Sequence, residues 1–452
     1  MRSNISTIVV KFGGTSVGSR DSILTIVKIV KSLRGKNPVV VVSAVRGVTE
    51  TLLSLYRSRG TKKEIEASVA KIREMHERLI EELLSGESKR EVLEYLERNL
   101  RELAAFAESS DKSAASSDKI VSFGEIISSF LVSRVLRTHG IKSDQVLATK
   151  MIITDKNFGQ AEFLPKETSR NVNAVLPKFV AGGIVPVVTG FIGKTKDGRT
   201  ATLGRGGSDY SATIIGYALK SKEIQIWTDV DGIYTSDPRV VENAKLLPQV
   251  SYREASEMAA FGAKVLHPRT IRPAIEKNIP VRILNTFHPE ARGTLVSPHP
   301  IKKGLKVIAF KRKVTLITIY SAAMLFSRGF LARVFEIFAE QNISVDLVSV
   351  SEVSVSVTLD NSENLERALS ELEKISKVSL DRDGFGVISL IGEEVVSARN
   401  LLHDVSALFN NKIPIRMISM GASDINISLV LPAEKIESAV RLIHNKILLR
   451  SN

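Results

Sequence analysis

Two short glycine-bearing stretches hold the residues best suited to chemistry. In VVKFGGTSVG (9–18), a run of β-branched residues ends in Lys11, Phe12, Gly13 and Gly14. In TLGRGGSDYSA (202–212), Gly204, Arg205, Gly206 and Gly207 stand just before a stretch with helical character. Glycine lets backbone N–H groups turn toward an anion, and a helix N-terminus adds partial positive charge. Two such stretches in one chain point to phosphates, although KFGG alone is equally compatible with a plain turn. Neither fits G-x-x-x-x-G-K-[ST] or G-x-G-x-x-G, which excludes a P-loop and disfavours a dinucleotide fold. Arg205 carries a rigid fork that suits a carboxylate or a phosphate. Asp209 falls in the first turn of the following helix, where capping is its plainest role. Glu125, in SFGEIISS, is expected at a helix start, where it either offsets the dipole or holds an ammonium group. Lys264, in AFGAKVLHP, lies in an apolar segment, either as a ligand or with its stem buried and its head in water. WTDVDGIYTSDPR (227–239) ends a strand in Asp229 and continues through Asp231, Gly232, Tyr234 and Arg239. It reads as a hairpin-like excursion or as a wrap around a nucleotide at the carboxyl edge of an open sheet.

Missing motifs narrow the chemistry further. The seven histidines form no H-E-x-x-H and no cluster, and there is no G-x-S-x-G elbow. No nucleophile–base pair stands out. Phosphoryl transfer to a carboxylate does not require one, because an acceptor with a pKa near ~4 is already deprotonated at pH 7. Catalysis then reduces to aligning two anions and neutralising their repulsion. Lysines, an arginine, backbone N–H groups and Mg²⁺ suffice for that.

The elements that must position these groups follow from hydrophobic pattern. Residues 5–12 and 38–44 read as strands; the unbroken apolar run of NPVVVVSA marks a strand covered on both faces. A helix at about 21–34 joins them as a right-handed β-α-β unit. Residues 61–108 form a helical hairpin broken at Gly86, with mixed charge on its wet faces. Strand–helix alternation then resumes: strands near 145, from 183, from 223 and from 280, with helices from 208 and from 251 or 252. The result is a layered α/β catalytic domain over residues 1–295. After a linker at 296–312 the rhythm becomes β-α-β-β-α-β over 313–384. The pattern recurs without its last strand over 385–452, an internal repeat of about 70 residues. LKVIAF (305–310) is the candidate for the missing strand, which would insert the first unit into the second.

Composition sets the class. The 452 residues are 43% hydrophobic and 25% charged, which is ordinary for a soluble protein of several domains. The absence of cysteine excludes disulfides, zinc–cysteine sites and thiol nucleophiles, and fits a reducing cytoplasm. No apolar run is long enough to span a bilayer and no leader pattern opens the chain, so no membrane is expected. The net charge of +14 raises the question of nucleic acid. The basic residues are spread out, apart from a cluster between Lys302 and Lys313, and no aromatics are interleaved with them. An anionic substrate is the plainer reading and no nucleic-acid partner is expected.

KFGGTSVG, VVSAVRGVT, SFGE, TLGRGGSDYSA, WTDVDGIYTSDPR and FGAKVLHP stand in the order found in aspartate kinases, a family this chain resembles over nearly its whole length. The repeated C-terminal units resemble ACT domains. With nothing after them, the chain resembles the monofunctional enzyme without a homoserine dehydrogenase. The resemblance implies a three-layer αβα amino-acid-kinase fold with a mainly parallel central sheet, followed by two ferredoxin-like βαββαβ ACT domains. It implies ATP-dependent phosphorylation of L-aspartate to 4-phospho-L-aspartate, with Mg²⁺, as the first step toward lysine, threonine and methionine. On that pattern Lys11 sits on the transferring phosphate with Phe12, Gly13 and Gly14 nearby, and Asp209 orients Lys11 and Arg205. Thr49, Glu125, Arg205, Gly206, Gly207 and Ser208 hold aspartate. Arg205 grips its α-carboxylate and Glu125 its α-ammonium. Thr228, Asp229, Tyr234, Arg239, Lys264 and Val265 line the nucleotide. Ala44-Val45-Arg46 departs from the family's commoner small or Met-containing version of that tripeptide. Residues 322–360 resemble the lysine-inhibited class, making Met324, Ser327, Phe330, Leu331, Ser344, Val345, Asp346, Ser351 and Glu352 effector contacts. Asp346 and Glu352 would meet the ammonium groups of lysine. ACT units pair across subunits in this family, which implies a homodimer or homotetramer. The alternatives are acetylglutamate or glutamate kinase of the same fold, and a non-catalytic amino-acid sensor.

Overall fold

The structure, a computed structural model, describes residues 6–58, 61–109, 111–261, 266–300, 302–325, 328–360, 364–398, 400–410 and 412–449. The chain forms two compact units. The first comprises Met1–Ile233, Leu246–Tyr252 and Val265–His299; the second comprises Tyr234–Lys245, Arg253–Lys264 and Pro300–Asn452.

Among the described residues, the first unit is built on eleven strands: β1 (Ile8–Phe12), β2 (Pro38–Val42), β3 (Ser143–Val146), β4 (Ile153–Thr154), β5 (Val185–Thr189), β6 (Ile192–Thr195), β7 (Thr200–Thr202), β8 (Glu223–Thr228), β9 (Gln249–Ser251), β10 (Val281–Asn285) and β11 (Thr294–Ser297). Eight of them form a sheet in the order β3-β5-β2-β1-β8-β10-β11-β9, parallel except at β10–β11. Every residue of β1, β2 and β5 is buried, as strands covered on both faces must be. Lys11 pairs with Val41 on one side and Ile226 on the other, so the loops after β1, β2 and β8 emerge side by side at one edge. A small sheet, β4-β6-β7, stands apart.

The helices of this unit are α1 (Arg20–Ser32), α2 (Val48–Arg57), α3 (Lys62–Leu83), α4 (Gly86–Ser109), α5 (Ala114–Thr138), α6 (Pro165–Ala181) and α7 (Gly207–Leu219); after α8 (Tyr252–Ala260) comes α9 (Pro268–Glu276). The hairpin expected at 61–108 is α3 and α4. A Thr61–Glu64 capping box opens it, and Ile65, Ile72 and Leu79 are buried in one core with Val92, Leu96 and Leu103. α2 and α6 occupy stretches where no helix was expected. α2 starts behind Gly47 at φ +88°, and α6 starts on Pro165, whose fixed φ suits a first helical position.

In the second unit, β12 (Val307–Tyr320), β13 (Leu347–Val350), β14 (Ser354–Leu359), β15 (Lys377–Ile391), β16 (Met417–Met420) and β17 (Asn426–Pro432) form one antiparallel sheet in the order β13-β14-β12-β15-β17-β16. Sequence pattern divides 305–310 from 313–321 and 376–382 from 386–392, whereas each pair is a single long strand. The ladder between them shifts register at Lys311–Val314 and again at Val314–Leu316, and Asp383 turns at φ +62°. Such irregularities bend a strand without ending it. Val307–Lys311 thereby pairs with Val387–Ile391, while Leu316–Tyr320 pairs with Lys377–Asp381. Each half has its own helices and core. α10 (Phe330–Glu340) and α11 (Leu365–Glu373) pack with Ile317, Val355 and Val357; α12 (Leu401–Phe409) and α13 (Ile436–Ile443) pack with Ile308, Ile388 and Leu429. Val240 and Val241 of the 234–245 segment join that second core, and Thr235 shares a 2.9 Å hydrogen bond with His444. Glu254 of α8 forms a nearly buried 2.6 Å ion pair with Lys306.

Candidate active site

A cavity of about 760 Å³ opens in the first unit where the loops after β1, β2 and β8 converge. Lys11, Gly13, Gly14, Thr49, Glu125, Arg205, Gly206, Gly207, Ser208, Asp209 and Thr228 all line it, although they come from five separate stretches of sequence.

The phosphate side begins at Lys11, whose ammonium lies 2.5 Å from an Asp209 carboxylate oxygen with both side chains largely buried. Low solvent exposure strengthens this pair and fixes where Nζ points. Gly13 lies beside it, where a Cβ would make only ordinary contact with Nζ at 3.5 Å and the Trp227 carbonyl at 3.7 Å. At Gly14 a Cβ would stand 3.0 Å from the Ala44 carbonyl. α7 enters the same space. Gly206, at φ +68°, is its N-cap, Gly207 packs against Phe191, and the first N–H groups of the helix have no acceptor within it. Phe12 behaves differently from the expectation. Its side chain is wholly buried and stacks on Trp227 at 6.2 Å, so it belongs to the core.

The opposite wall is α5. Glu125 lies in the middle of this helix, so the expected helix start at SFGE is wrong and dipole compensation with it. Gly124 serves close approach: a Cβ there would come within 2.8 Å of the Ala44 Cβ. That contact brings the Ala44 N–H to within 3.1 Å of Glu125 Oε1, while Oε2 has no hydrogen-bond partner among the described residues. Burial pushes the Glu125 carboxyl up to about 8. A buried carboxylate with an open oxygen is suited to an ammonium ligand.

Sequence reasoning missed several groups in the lining. Arg46 adds a second guanidinium, and its N–H donates to the Gly14 carbonyl at 3.2 Å. Asp118 and Phe191, the latter at φ +68°, also line the cavity. The two-turn spacing from Asp118 to Glu125 on one helix was the available signal.

The other expected residues are distributed as follows. Thr228 ends β8 with its hydroxyl 3.2 Å from Asp229, which is exposed. Tyr234 and Arg239 belong to the second unit, where Arg239 makes a two-point ion pair with Asp237. Lys264, Val265 and Ser327 lie outside the described residues. Met324 stands on the short helical turn Ala322–Leu325, and Phe330 and Leu331 open α10 behind Gly329 at φ +89°. Ser344, Val345 and Asp346 lead into β13, and Ser351 and Glu352 form the β13–β14 turn. Lys311 holds Asp346 at 2.7 Å and reaches Asp360 at 3.0 Å. Among the described residues, no group of three or more His, Cys, Asp or Glu is placed to hold a metal ion, and no helix is long and apolar enough to cross a membrane.

Comparison with known proteins agrees with this geometry. Residues 6–285 match the amino acid kinase family, and 317–375 and 388–447 each match an ACT domain. Aspartokinase 1, chloroplastic, of Arabidopsis thaliana is 38% identical over 456 residues, covering 97% of this chain and 79% of that protein. The structure of Escherichia coli aspartokinase III in complex with aspartate and ADP (R-state) superposes with a TM-score of 0.86 at 37% identity, covering 98% of this chain and 100% of that one. The same enzyme in complex with lysine and aspartate (T-state) gives 0.84 at 37% identity with equal coverage. An amino-acid-kinase unit with a glycine-lined cavity, followed by paired ACT folds, places this chain among the aspartokinases.

Proposed function

We propose that the chain transfers the terminal phosphoryl group of ATP to the side-chain carboxylate of L-aspartate, giving ADP and 4-phospho-L-aspartate. The observation that carries this is the composition of one cavity: a buried Lys11–Asp209 pair and the N-terminus of α7 share it with the open oxygen of Glu125 and with Arg205. In this reading Arg205 and Glu125 fix the α-carboxylate and α-ammonium of aspartate, and Thr49 and Ser208 complete its pocket. The side-chain carboxylate is left free and already ionised. Lys11, the backbone at Gly14 and the N-terminus of α7 neutralise charge on the transferring phosphoryl, which is where such a reaction is accelerated. Asp209 keeps the Lys11 ammonium aimed.

Mg²⁺ would enter with the nucleotide, held by phosphate oxygens and water, since the described carboxylates form no cage of their own. It would supply further neutralisation of the phosphates. Hydroxamate formation from ATP, Mg²⁺ and aspartate tests the activity. Turnover with aspartate and none with glutamate or acetylglutamate is expected; the reverse selectivity contradicts the assignment.

L-Lysine is the proposed inhibitor. The similarity to an enzyme crystallised with lysine supports it, as does the grouping of Met324, Phe330, Val345, Asp346 and Glu352 in the first ACT half. Assembly of at least two copies through the ACT units, in the cytoplasm, belongs to the same reading. Inhibition by millimolar lysine in that assay is the expected result, with threonine as the comparison.

A further inference from the structure

Helix α5 presents Asp118, Val121 and Glu125 to the cavity, at spacings that place them on one face. Its two carboxylates are in opposite situations. Glu125 keeps an oxygen open, whereas Asp118 is filled. Asp118 is 2% exposed. Its Oδ2 accepts the N–H of Gly159 at 2.9 Å and that of Thr202 at 2.7 Å, and its Oδ1 accepts the Thr202 hydroxyl at 2.7 Å. Burial raises the Asp118 carboxyl, and these three donors oppose the rise.

The donors come from two segments. Gly159 belongs to the turn after β4, and Thr202 is the last residue of β7, three residues before Arg205. Between them, the Ala161 N–H donates to the Thr202 carbonyl at 2.9 Å and the Leu203 N–H to Phe191 at 2.9 Å. Gly204, at φ +77°, is wedged into the joint: a Cβ there would lie 3.1 Å from the Gly159 carbonyl and 3.3 Å from Arg269. Arg269 closes the outside, donating to the carbonyls of Gln160 and Ala161 at 2.7 Å each and to Glu162 at 2.8 Å. The backbone carrying Arg205 is therefore fixed by packing and by a single buried negative charge.

We propose that Asp118 is a positioning residue for the amino-acid substrate. Its carboxylate locks the Gly159 turn to the end of β7 and so sets where the Arg205 guanidinium meets the α-carboxylate of aspartate, an inference that rests on the assignment of Arg205 above. The two backbone N–H groups need an acceptor at Oδ2, and the negative charge strengthens both bonds. An asparagine in its place can keep an oxygen on them and turn its NH₂ to the Thr202 hydroxyl, but it loses the charge that tightens the clamp.

The test is steady-state kinetics of the full-length chain, varying aspartate and ATP separately, for Asp118→Asn, Thr202→Val, Thr202→Ser and Arg205→Ala, with thermal unfolding of each. Asp118→Asn is expected to raise the aspartate KM about tenfold or more while the ATP KM stays within about twofold. Thr202→Val, which removes one of the three bonds, should shift the aspartate KM in the same direction by less, and Thr202→Ser should stay near the parent value. A purely structural role would instead lower Tm and disturb both KM values together, and that result overturns the proposal, as does an unchanged aspartate KM in Asp118→Asn. If Asp118→Asn fails to fold, the contrast between Thr202→Val and Thr202→Ser decides. Arg205→Ala separates the two layers. An aspartate KM unaltered there defeats the assignment of Arg205 itself, whereas a raised value there with none in the Asp118 and Thr202 variants defeats only the clamp.

Discussion

In the cavity of the first unit, Lys11 is held by Asp209 while Glu125, on the opposite wall, keeps one buried oxygen without a partner among the described residues. Around β13 of the second unit, Asp346 shares Lys311 with Asp360, and Ser351 is bonded to Ser354 across the hairpin turn. The two regions gather the same kinds of residue and hold them differently. The cavity leaves a carboxyl oxygen open and buried, at a cost that a proton relieves in the free protein and an ammonium ligand relieves when bound. The ACT region satisfies its charges from its own chain and near solvent, so an arriving ammonium must exchange partners with Lys311. Open charge gives binding energy that can be directed to chemistry. Internally paired charge gives a threshold, because the ligand gains only the difference between two pairings.

The sharpest way to break this contrast is at Lys11. Lys11→Ala removes the cation and leaves the Asp209 carboxylate buried and unpaired. kcat is expected to fall about 10²–10³-fold or more, with both KM values much less affected. Retained turnover in a steady-state assay would show that the cavity's charge is not directed at the transferring group.

The next effect concerns Glu125. Its carboxyl is raised to about 8 by burial in the free protein, so below that pH it is mostly protonated and must lose a proton to bind an ammonium group. Aspartate KM should therefore fall as pH rises from 6 to 8, by up to about tenfold per pH unit, and level off above 8. The folded-state value lies above the unfolded one, so between about 4.5 and 8 the native protein binds the extra proton and stability declines as pH rises. Glu125→Gln should remove that decline in Tm along with aspartate binding. A pH-independent aspartate KM contradicts the open-carboxylate description.

The smallest expected effect sharpens the other half of the contrast. If Lys311 competes with the effector for Asp346, Lys311→Met should lower the lysine concentration giving half inhibition about threefold to tenfold, as expected when a pairing worth about 1 kcal/mol at a partly exposed site is lost. Asp346→Asn should raise it. Identical inhibition curves for Lys311→Met and the parent chain would show that the Lys311–Asp346 pair sets no threshold.

What the sequence disclosed, and what it did not, follows the same physical lines. The α/β unit and the two ferredoxin-like halves were legible because their strands are short, apolar and punctuated, as in IVVKF and PVVVV. The two long strands of the ACT sheet were not, because Lys311–Val314 and the Asp383 turn read as strand ends when they are bends. Lys11 and the α7 glycines stood out because a strand or helix boundary beside glycine is a local signal. Glu125 was found, but its setting was misread, because Gly124 before it suggests a helix start when it serves approach to Ala44, 80 residues away. Asp118 showed only its two-turn spacing from Glu125, since its three donors lie 41 and 84 residues along the chain. Phe12, adjacent to Lys11, shows the limit of proximity: strand alternation sends its side chain into the core.

The central claim is that the first unit brings two mutually repelling anions together beside Lys11. A crystal structure of the chain with L-aspartate and a non-hydrolysable ATP analogue tests it most directly. The expected density places the aspartate side-chain carboxylate within about 3–3.5 Å of the terminal phosphorus, with Lys11 Nζ on the phosphate oxygens. Both ligands bound while Lys11 contacts neither would contradict the account.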